Sequence, residues 1–291
     1  MCKMIIVNIK GGLGNQMFQY ALGKHLTLKN NDELKLDTDS LSRANEIGNI
    51  YRPFALEAFN IKKEIATTEE ILPLKYPHGI LSKGWRWFSF KILRRFNVLF
   101  NPSVLNWTGN IYLDGFWQSP NYFEDIRDVL LKEFTLTAPL SSETADFAKI
   151  ISEGSAVSIH VRRGDYATNA RVMKEFGVCS TEYYQKAMEK IETAIDSPTY
   201  FVFSDDIEWV KENLPVGESA VYIQGIRITD TEEMVLMSKC KHNIIANSSF
   251  SWWGAWLNQN PDKIVVAPTP WFETQPYDKD LIPKSWTQLQ K

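Results

Sequence analysis

The sequence predicts an α/β protein built on parallel, doubly wound sheets, and three observations carry that expectation. Over residues 156–267, short apolar runs alternate with stretches of helical periodicity, the pattern of a parallel sheet with crossover helices. Near the start, an apolar run is followed by the glycine turn Gly11-Gly12-Leu13-Gly14 and then by a helical pattern. Between these regions, residues 135–145 are small, polar and interrupted by proline, which reads as a linker. At 291 residues the chain exceeds one typical domain, commonly about 100–200 residues. Two domains are therefore expected: 1–140, with an irregular, partly helical insertion over 40–110, and 146–291. The C-terminal tail is a candidate to return to the first.

The elements follow in order. Residues 3–9 read as a buried strand, 15–29 as a helix and 34–36 as a second strand ending at Asp37. Over 40–110, Pro53, Pro73, Pro77 and Pro102 act as breakers. Residues 111–113 return to a strand. Over 122–134, Phe123, Ile126, Val129, Leu130 and Phe134 recur near helical spacing and predict an amphipathic helix. Beyond the linker come strand 156–161, then helix 181–195 with Pro198 past its end. Strand 200–203, helix 206–213, strand 221–223 and helix 231–240 follow, then strand 243–246, helix 252–257 and strand 264–267. In such sheets ligands sit beyond the carboxyl ends of the strands.

Composition narrows the class. Hydrophobic residues at 44% suffice for packed cores, and nothing suggests disorder. Ten tryptophans could offer flat faces to a sugar or a base, although core packing explains them more cheaply. Cys2, Cys179 and Cys240 are widely spaced and form no CxxC pair, so neither a disulfide framework nor a zinc site is indicated, and a reducing cytosol is expected. The N-terminus lacks the apolar length of a signal peptide, and no run of about 18 apolar residues occurs. A soluble, unanchored protein is expected.

The net charge of −3 conceals an asymmetry. Residues 71–113 contain no Asp or Glu but hold Lys75, Lys83, Arg86, Lys91, Arg94 and Arg95, giving that segment +6 and the remainder −9. Aromatic residues interleave these charges, so segment 83–96 is a candidate for peripheral contact with the inner face of a membrane. A solvated helix face with inward aromatics is the weightier alternative. One local patch on a chain of pI 5.9 is a poor footprint for nucleic acid.

Four motifs could carry chemistry. At the end of strand 156–161 stands His160-Val161-Arg162-Arg163-Gly164-Asp165. Strand alternation puts His160 and Arg162 on one face if the extended backbone persists. That makes Arg162 the first choice for a phosphate clamp, since Arg forms paired hydrogen bonds that Lys cannot; Arg163 is expected to be held structurally, by Asp165. A surface salt-bridge cluster is the alternative. Ser204-Asp205-Asp206 ends the next strand, where one carboxylate could accept from guanine while another residue caps the following helix. Asn247-Ser248-Ser249-Phe250-Ser251-Trp252-Trp253-Gly254 joins a strand to a helix. There, backbone amides and the helix dipole suit an anion, with plain capping as the competing reading. Trp252 and Trp253 stay ambiguous between core and ligand. The glycine turn fails the GxGxxG spacing at Met17 and lacks Gly-Lys-Ser/Thr. Asp37-Thr38-Asp39 is a weak divalent-metal motif, and no metal site is assigned.

Taken together, Gly11-Gly12-Leu13-Gly14-Asn15-Gln16-Met17-Phe18-Gln19-Tyr20-Ala21, the His160–Asp165 element, Phe203-Ser204-Asp205-Asp206 and Asn247–Trp253 resemble family 11 glycosyltransferases, the bacterial-type α-1,2-fucosyltransferases. The resemblance implies a GT-B fold, two Rossmann-like domains facing across a cleft, with the second holding GDP-β-L-fucose. It implies inverting transfer to O2 of a terminal galactose on an oligosaccharide or lipid-linked glycan, without a cofactor or required metal. It places Arg162 on the diphosphate, Asp205 or Asp206 on guanine, and Asn247, Ser248, Ser249, Phe250 and Ser251 on the β-phosphate and fucose. Gly12, Gly14, Asn15, Gln16, His160, Arg163 and Asp165 are further donor-site candidates. For a general base, Asp37, Asp39, Glu57 and Asp114 compete, with Asp37 first because it ends a strand.

Overall fold

The computed structural model describes residues 3–43, 52–76, 100–224, 228–274 and 280–291. The chain divides into two compact units, Met1–Thr137 and Ala138–Lys291.

The first unit holds a parallel sheet of order β2-β1-β3, with β1 at Met4–Asn8, β2 at Glu33–Asp37 and β3 at Ile111–Leu113. The central strand is the most apolar, and Ile5, Ile6 and Val7 have no exposed surface. Helix α1 (Leu13–Asn30) returns the chain to β2 and ends at Asn31, whose left-handed backbone (φ 56°) lets its amide donate to Thr27 O. Gly23 lets α1 lie against β1, because a Cβ there would collide with Val7. Helix α2 (Asp39–Arg43) follows β2.

Helix α3 (Thr68–Lys75) departs from expectation, since Pro73 lies inside it. The Thr67–Glu70 capping box secures its start, and Pro73 removes only one hydrogen bond near its end. Pro102 instead opens a 3-10 turn (Pro102–Asn106), where no N–H is needed. The helix expected over 122–134 is also corrected. Turns Pro120–Tyr122 and Glu124–Ile126 precede a short α4, Arg127–Glu133. Tyr122 and Phe123 are adjacent and both fully buried, which one helix face cannot accommodate.

The second unit is a six-stranded parallel sheet of order β6-β5-β4-β7-β8-β9. Its strands are β4 (Ala156–Val161), β5 (Thr199–Ser204), β6 (Val221–Ile223), β7 (His242–Ile244), β8 (Val265–Thr269) and β9 (Thr287–Gln290). The chain runs outward from β4 through β6, then returns to β7 on the other side of β4. This is the 3-2-1-4-5-6 order of a dinucleotide-binding sheet, and its switch point lies between β4 and β7. Every residue of β4 is buried. Val157, Ile159 and Val161 pack with Tyr183, Tyr184 and Val202, while Ala156 joins Phe201, Phe203 and Leu236 on the other face.

Helices α5 (Ser142–Glu153), α6 (Gly164–Thr168), α7 (Ala170–Phe176), α8 (Thr181–Glu192), α9 (Ile207–Asn213), α10 (Asp230–Lys239) and α11 (Ser249–Leu257) complete this unit. Helix α5 starts inside the expected linker, capped by Ser141, and the C-terminal tail supplies β9, paired with β8. Helix α11 begins at Ser249, three residues before the expected start. Trp252 and Trp253 are fully buried. The Trp252 indole donates to Leu281 O at 2.9 Å and stacks with Trp256, so these tryptophans are core. Truncating either would cost about 3–5 kcal/mol.

Both units are Rossmann-like parallel α/β units, as the resemblance implies. Cys179 and Cys240 are buried free thiols. Among the described residues, no group of three His, Cys, Asp or Glu could hold a metal ion, and no helix is long and apolar enough to cross a membrane. The basic aromatic segment 83–96 lies outside the described residues.

Candidate functional site

The switch point of the second unit gathers the motifs. Strand β4 ends at Val161, and the Arg162 guanidinium binds Asp165 Oδ1 at 2.6 Å and Asp205 Oδ2 at 2.8 Å. It also lies 5.4 Å from the centre of the Tyr166 ring. The Tyr166 hydroxyl donates to Asn247 O at 3.4 Å, which links the end of β4 to the turn after β7. Two carboxylates thus hold Arg162 in place while engaging two of its five N–H groups. Gly164 is needed at this point because a Cβ would collide with the Asp205 carboxylate.

The expected partner of Arg163 is corrected. Asp165 binds Arg162, whereas Arg163 Nε donates to Asp206 Oδ2 at 3.0 Å and its guanidinium stacks 3.8 Å from the Trp209 ring centre. Asp206 caps α9 by accepting from Trp209 N at 3.3 Å. Asp205 accepts from the Arg163 amide at 2.8 Å through its other oxygen. Both aspartates therefore act as girders for the arginine pair.

Among the described residues, His160 and Glu233 hold unspent polar capacity. His160 is buried, its ring 5.6 Å from that of Phe250, and Nδ1 has no hydrogen-bond partner among the described residues. Burial, aided by the Arg162 charge, pushes its pKa down to about 3, so the imidazole is neutral. Glu233, in the first turn of α10, is half-buried. Burial, with the charges of Asp230 and Asp205, raises its pKa to about 7. Sequence reasoning passed over Glu233, although a signal was present. The Thr229–Glu232 capping box consumes one of two adjacent carboxylates and leaves the next to serve elsewhere.

The turn between β7 and α11 splits into scaffold and surface. The Asn247 side-chain amide donates to Phe176 O at 2.8 Å and Trp271 O at 3.2 Å, which fixes the turn. Ser248 caps α11 by accepting from Phe250 N at 3.3 Å. Ser251 is fully buried and donates to Ser248 O at 3.3 Å. Ser249 and Phe250 are the partly exposed members of the motif. They sit at the positive end of a nine-residue helix with no acid in its first turn.

The remaining candidates lie in the first unit. Gly11 takes φ +79°, Gly12 caps α1 without a side-chain bond, and Gly14 is buried. Gln16 is fully buried, donating to Gly11 O at 2.9 Å and Pro53 O at 2.8 Å and accepting from Ala55 N at 3.0 Å; it fastens the loop. Asn15 accepts from Gln118 at 2.6 Å. Asp37 has no exposed surface; its carboxylate accepts from Lys75 at 3.1 Å and Tyr112 at 2.5 Å. An acid so enclosed holds the fold and presents nothing to a substrate hydroxyl.

The comparisons agree with this geometry. The model of "Glycosyl transferase family 11" matches residues 2–290. An alpha-1,2-colitosyltransferase of Escherichia coli is 33% identical, covering 99% of both chains. The O-antigen biosynthesis glycosyltransferase WbnK of Escherichia coli is 34% identical over 97% of this chain and 99% of its own. Among solved structures, the NodZ alpha-1,6-fucosyltransferase soaked with GDP-fucose shares the fold. Its TM-score is 0.53 at 14% identity, covering 88% of this chain and 93% of that one. With motifs in order along the whole chain and a dinucleotide-type switch point carrying two of them, the protein belongs to glycosyltransferase family 11.

Proposed function

We propose that this glycosyltransferase moves L-fucose from GDP-β-L-fucose to O2 of a terminal galactose, forming an α-1,2 linkage with inversion. The carrying observation is Arg162, braced by two carboxylates at the switch point and tied through Tyr166 to the turn that opens α11. As the bond between fucose C1 and the phosphate oxygen breaks, charge collects on the β-phosphate of departing GDP. The guanidinium and the first amides of α11 are already oriented to receive it. Galactose O2 bonds to C1 from the opposite face and releases its proton. The reading assigns leaving-group stabilisation to these groups, without a metal cofactor.

Guanine recognition moves from Asp205 and Asp206 to Glu233. Both aspartates are committed to the arginine pair, whereas the Glu233 carboxylate, close enough to Asp205 to feel its charge, makes no ion pair among the described residues. The α-1,2 linkage in the name of the colitosyltransferase relative and the GDP-fucose soaked into NodZ support the reading. That relative also favours a second reading, a donor carrying the fucose-like sugar colitose. Titration calorimetry should show GDP binding and no measurable UDP binding. Supplying GDP-fucose and GDP-colitose together, then analysing product mass and linkage, decides the sugar. Equal affinity for UDP would overturn the guanine reading, and exclusive use of GDP-colitose would overturn the fucose reading.

A further inference from the structure

The first unit carries a second polar surface, chemically unlike the switch point. Beyond the end of β3, burial alternates. Gly115, Trp117 and Ser119 point into the unit, whereas Asp114, Phe116 and Gln118 are partly exposed. This strip is riveted to the loop after β1 and to the first turn of α1. Lys10 Nζ donates to Asp114 Oδ1 at 2.7 Å and lies 5.1 Å from the Phe116 ring centre, and Gln118 donates to Asn15 at 2.6 Å. The same Asp114 oxygen accepts from Asn8 Nδ2 at 2.8 Å, and Asn8 in turn accepts from Ser40 at 2.8 Å.

The surface is rigid by construction. The fully buried Gln19 side chain accepts from Lys10 N at 2.9 Å and donates to Lys10 O at 3.1 Å, pinning the backbone that carries the lysine. Trp117, between Phe116 and Gln118, adopts φ +54°, a left-handed conformation that costs a non-glycine residue about 1–3 kcal/mol. Burial of its ring against Tyr122, 5.9 Å away, holds that conformation. Backbone strain beside partly exposed polar side chains is characteristic of binding surfaces.

The charge balance selects the ligand. The Lys10 ammonium is already paired with a carboxylate, so it offers a diphosphate no uncompensated charge. A paired carboxylate and ammonium suit the adjacent hydroxyls of a neutral pyranose, while an aromatic ring suits its C–H face. The ledge also lies beyond the carboxyl ends of β1 and β3, where parallel sheets bind ligands. We infer that Lys10, Asp114 and Phe116 form the subsite for the acceptor sugar, with Phe116 beneath the ring and Asp114 accepting from a ring hydroxyl.

This inference rests on the proposed glycosyl transfer, so its test is read first without turnover. Saturation-transfer NMR with methyl β-galactoside should show contact with the wild-type protein that is lost in Phe116→Ala. With GDP-fucose and lactose, Phe116→Ala and Asp114→Asn should each raise the lactose KM about tenfold. The donor KM and GDP affinity should stay unchanged, which a merely structural role would not achieve. Wild-type protein that makes no contact with the galactoside overturns the subsite, as does a variant whose lactose KM is unaltered or whose donor KM rises in parallel. Failure of the transfer reading is separately visible as wild-type protein that neither binds GDP nor turns over GDP-fucose.

Discussion

The two units expose polar side chains at the same structural address, the carboxyl edge of a parallel sheet, but spend them differently. In the first unit, Gln16 and Gln19 are fully buried and consumed by backbone bonds, and Asp37 is enclosed by Lys75 and Tyr112. In the second, Asp165 and Asp205 brace Arg162 while it stays partly exposed, and among the described residues both His160 Nδ1 and the Glu233 carboxylate retain capacity. The address alone therefore does not make a residue a ligand group. What distinguishes the edges is whether bonding capacity remains after the fold has taken its share.

The sharpest way to break this contrast is Arg162→Ala. If the second edge is built around a developing leaving-group charge, kcat/KM for transfer should fall about a thousandfold. Arg162→Lys should recover little, since an ammonium lacks the planar fork. The side chain is about a quarter exposed, so the variant should remain folded by circular dichroism, with Asp165 and Asp205 repelling one another mildly. Turnover within tenfold of wild type would show that Arg162 serves only as scaffold at this edge.

The matching test in the first unit is Asp37→Asn. It leaves Lys75 facing an amide at a site with little solvent, which should cost about 3 kcal/mol and lower the melting temperature by roughly 6–12 °C. Below the transition, turnover should stay within about threefold of wild type, since no transition-state contact is removed. A variant with an unchanged melting temperature and abolished turnover would restore Asp37 as a base and reverse the contrast.

Much of the fold was legible because its signals were local. The β-branched runs that became β1, β4 and β5 are bounded by turn residues, and the helix that became α8 has one apolar face. Where tertiary packing outweighed local pattern, the reading failed. Tyr122 and Phe123 are both drawn into the core and break the helix expected around them, and Trp252 and Trp253 could be placed only once Leu281 and Trp286 were seen against them. At the candidate site, the strand pattern placed Arg162 just past the end of β4, which is where it lies. The pairing of Asp165 with Arg162, and of Asp206 with Arg163, depends on the turn after β4, whose backbone no alternation rule describes. The capping box marked Glu233 as the uncommitted carboxylate, but its burial and the nearby charge of Asp205, distant in sequence, come only from the fold.

Glu233 gives the smallest and most diagnostic test, because fold and ligand pull its charge in opposite directions. Its carboxyl is raised from its ordinary value of 4.5 to about 7 in the fold. The folded state therefore holds an extra proton between those values, and stability must decline as pH rises through that window and level off above about 7. Glu233→Gln removes the buried charge, so at pH 8 the variant should be more stable than wild type, by on the order of 1–2 kcal/mol after solvent screening. At pH 4, where the wild-type carboxyl is protonated, the two should melt together. GDP affinity should move the other way. Guanine N–H groups need the carboxylate, so wild-type affinity should climb as pH rises through about 7, while the variant should bind weakly at every pH. Melting curves and GDP calorimetry at pH 5, 7 and 8.5 read both effects. A variant destabilised at pH 8 would make Glu233 a structural partner like Asp37. A stabilised variant that binds GDP as wild type does would leave its charge a cost with no guanine to justify it.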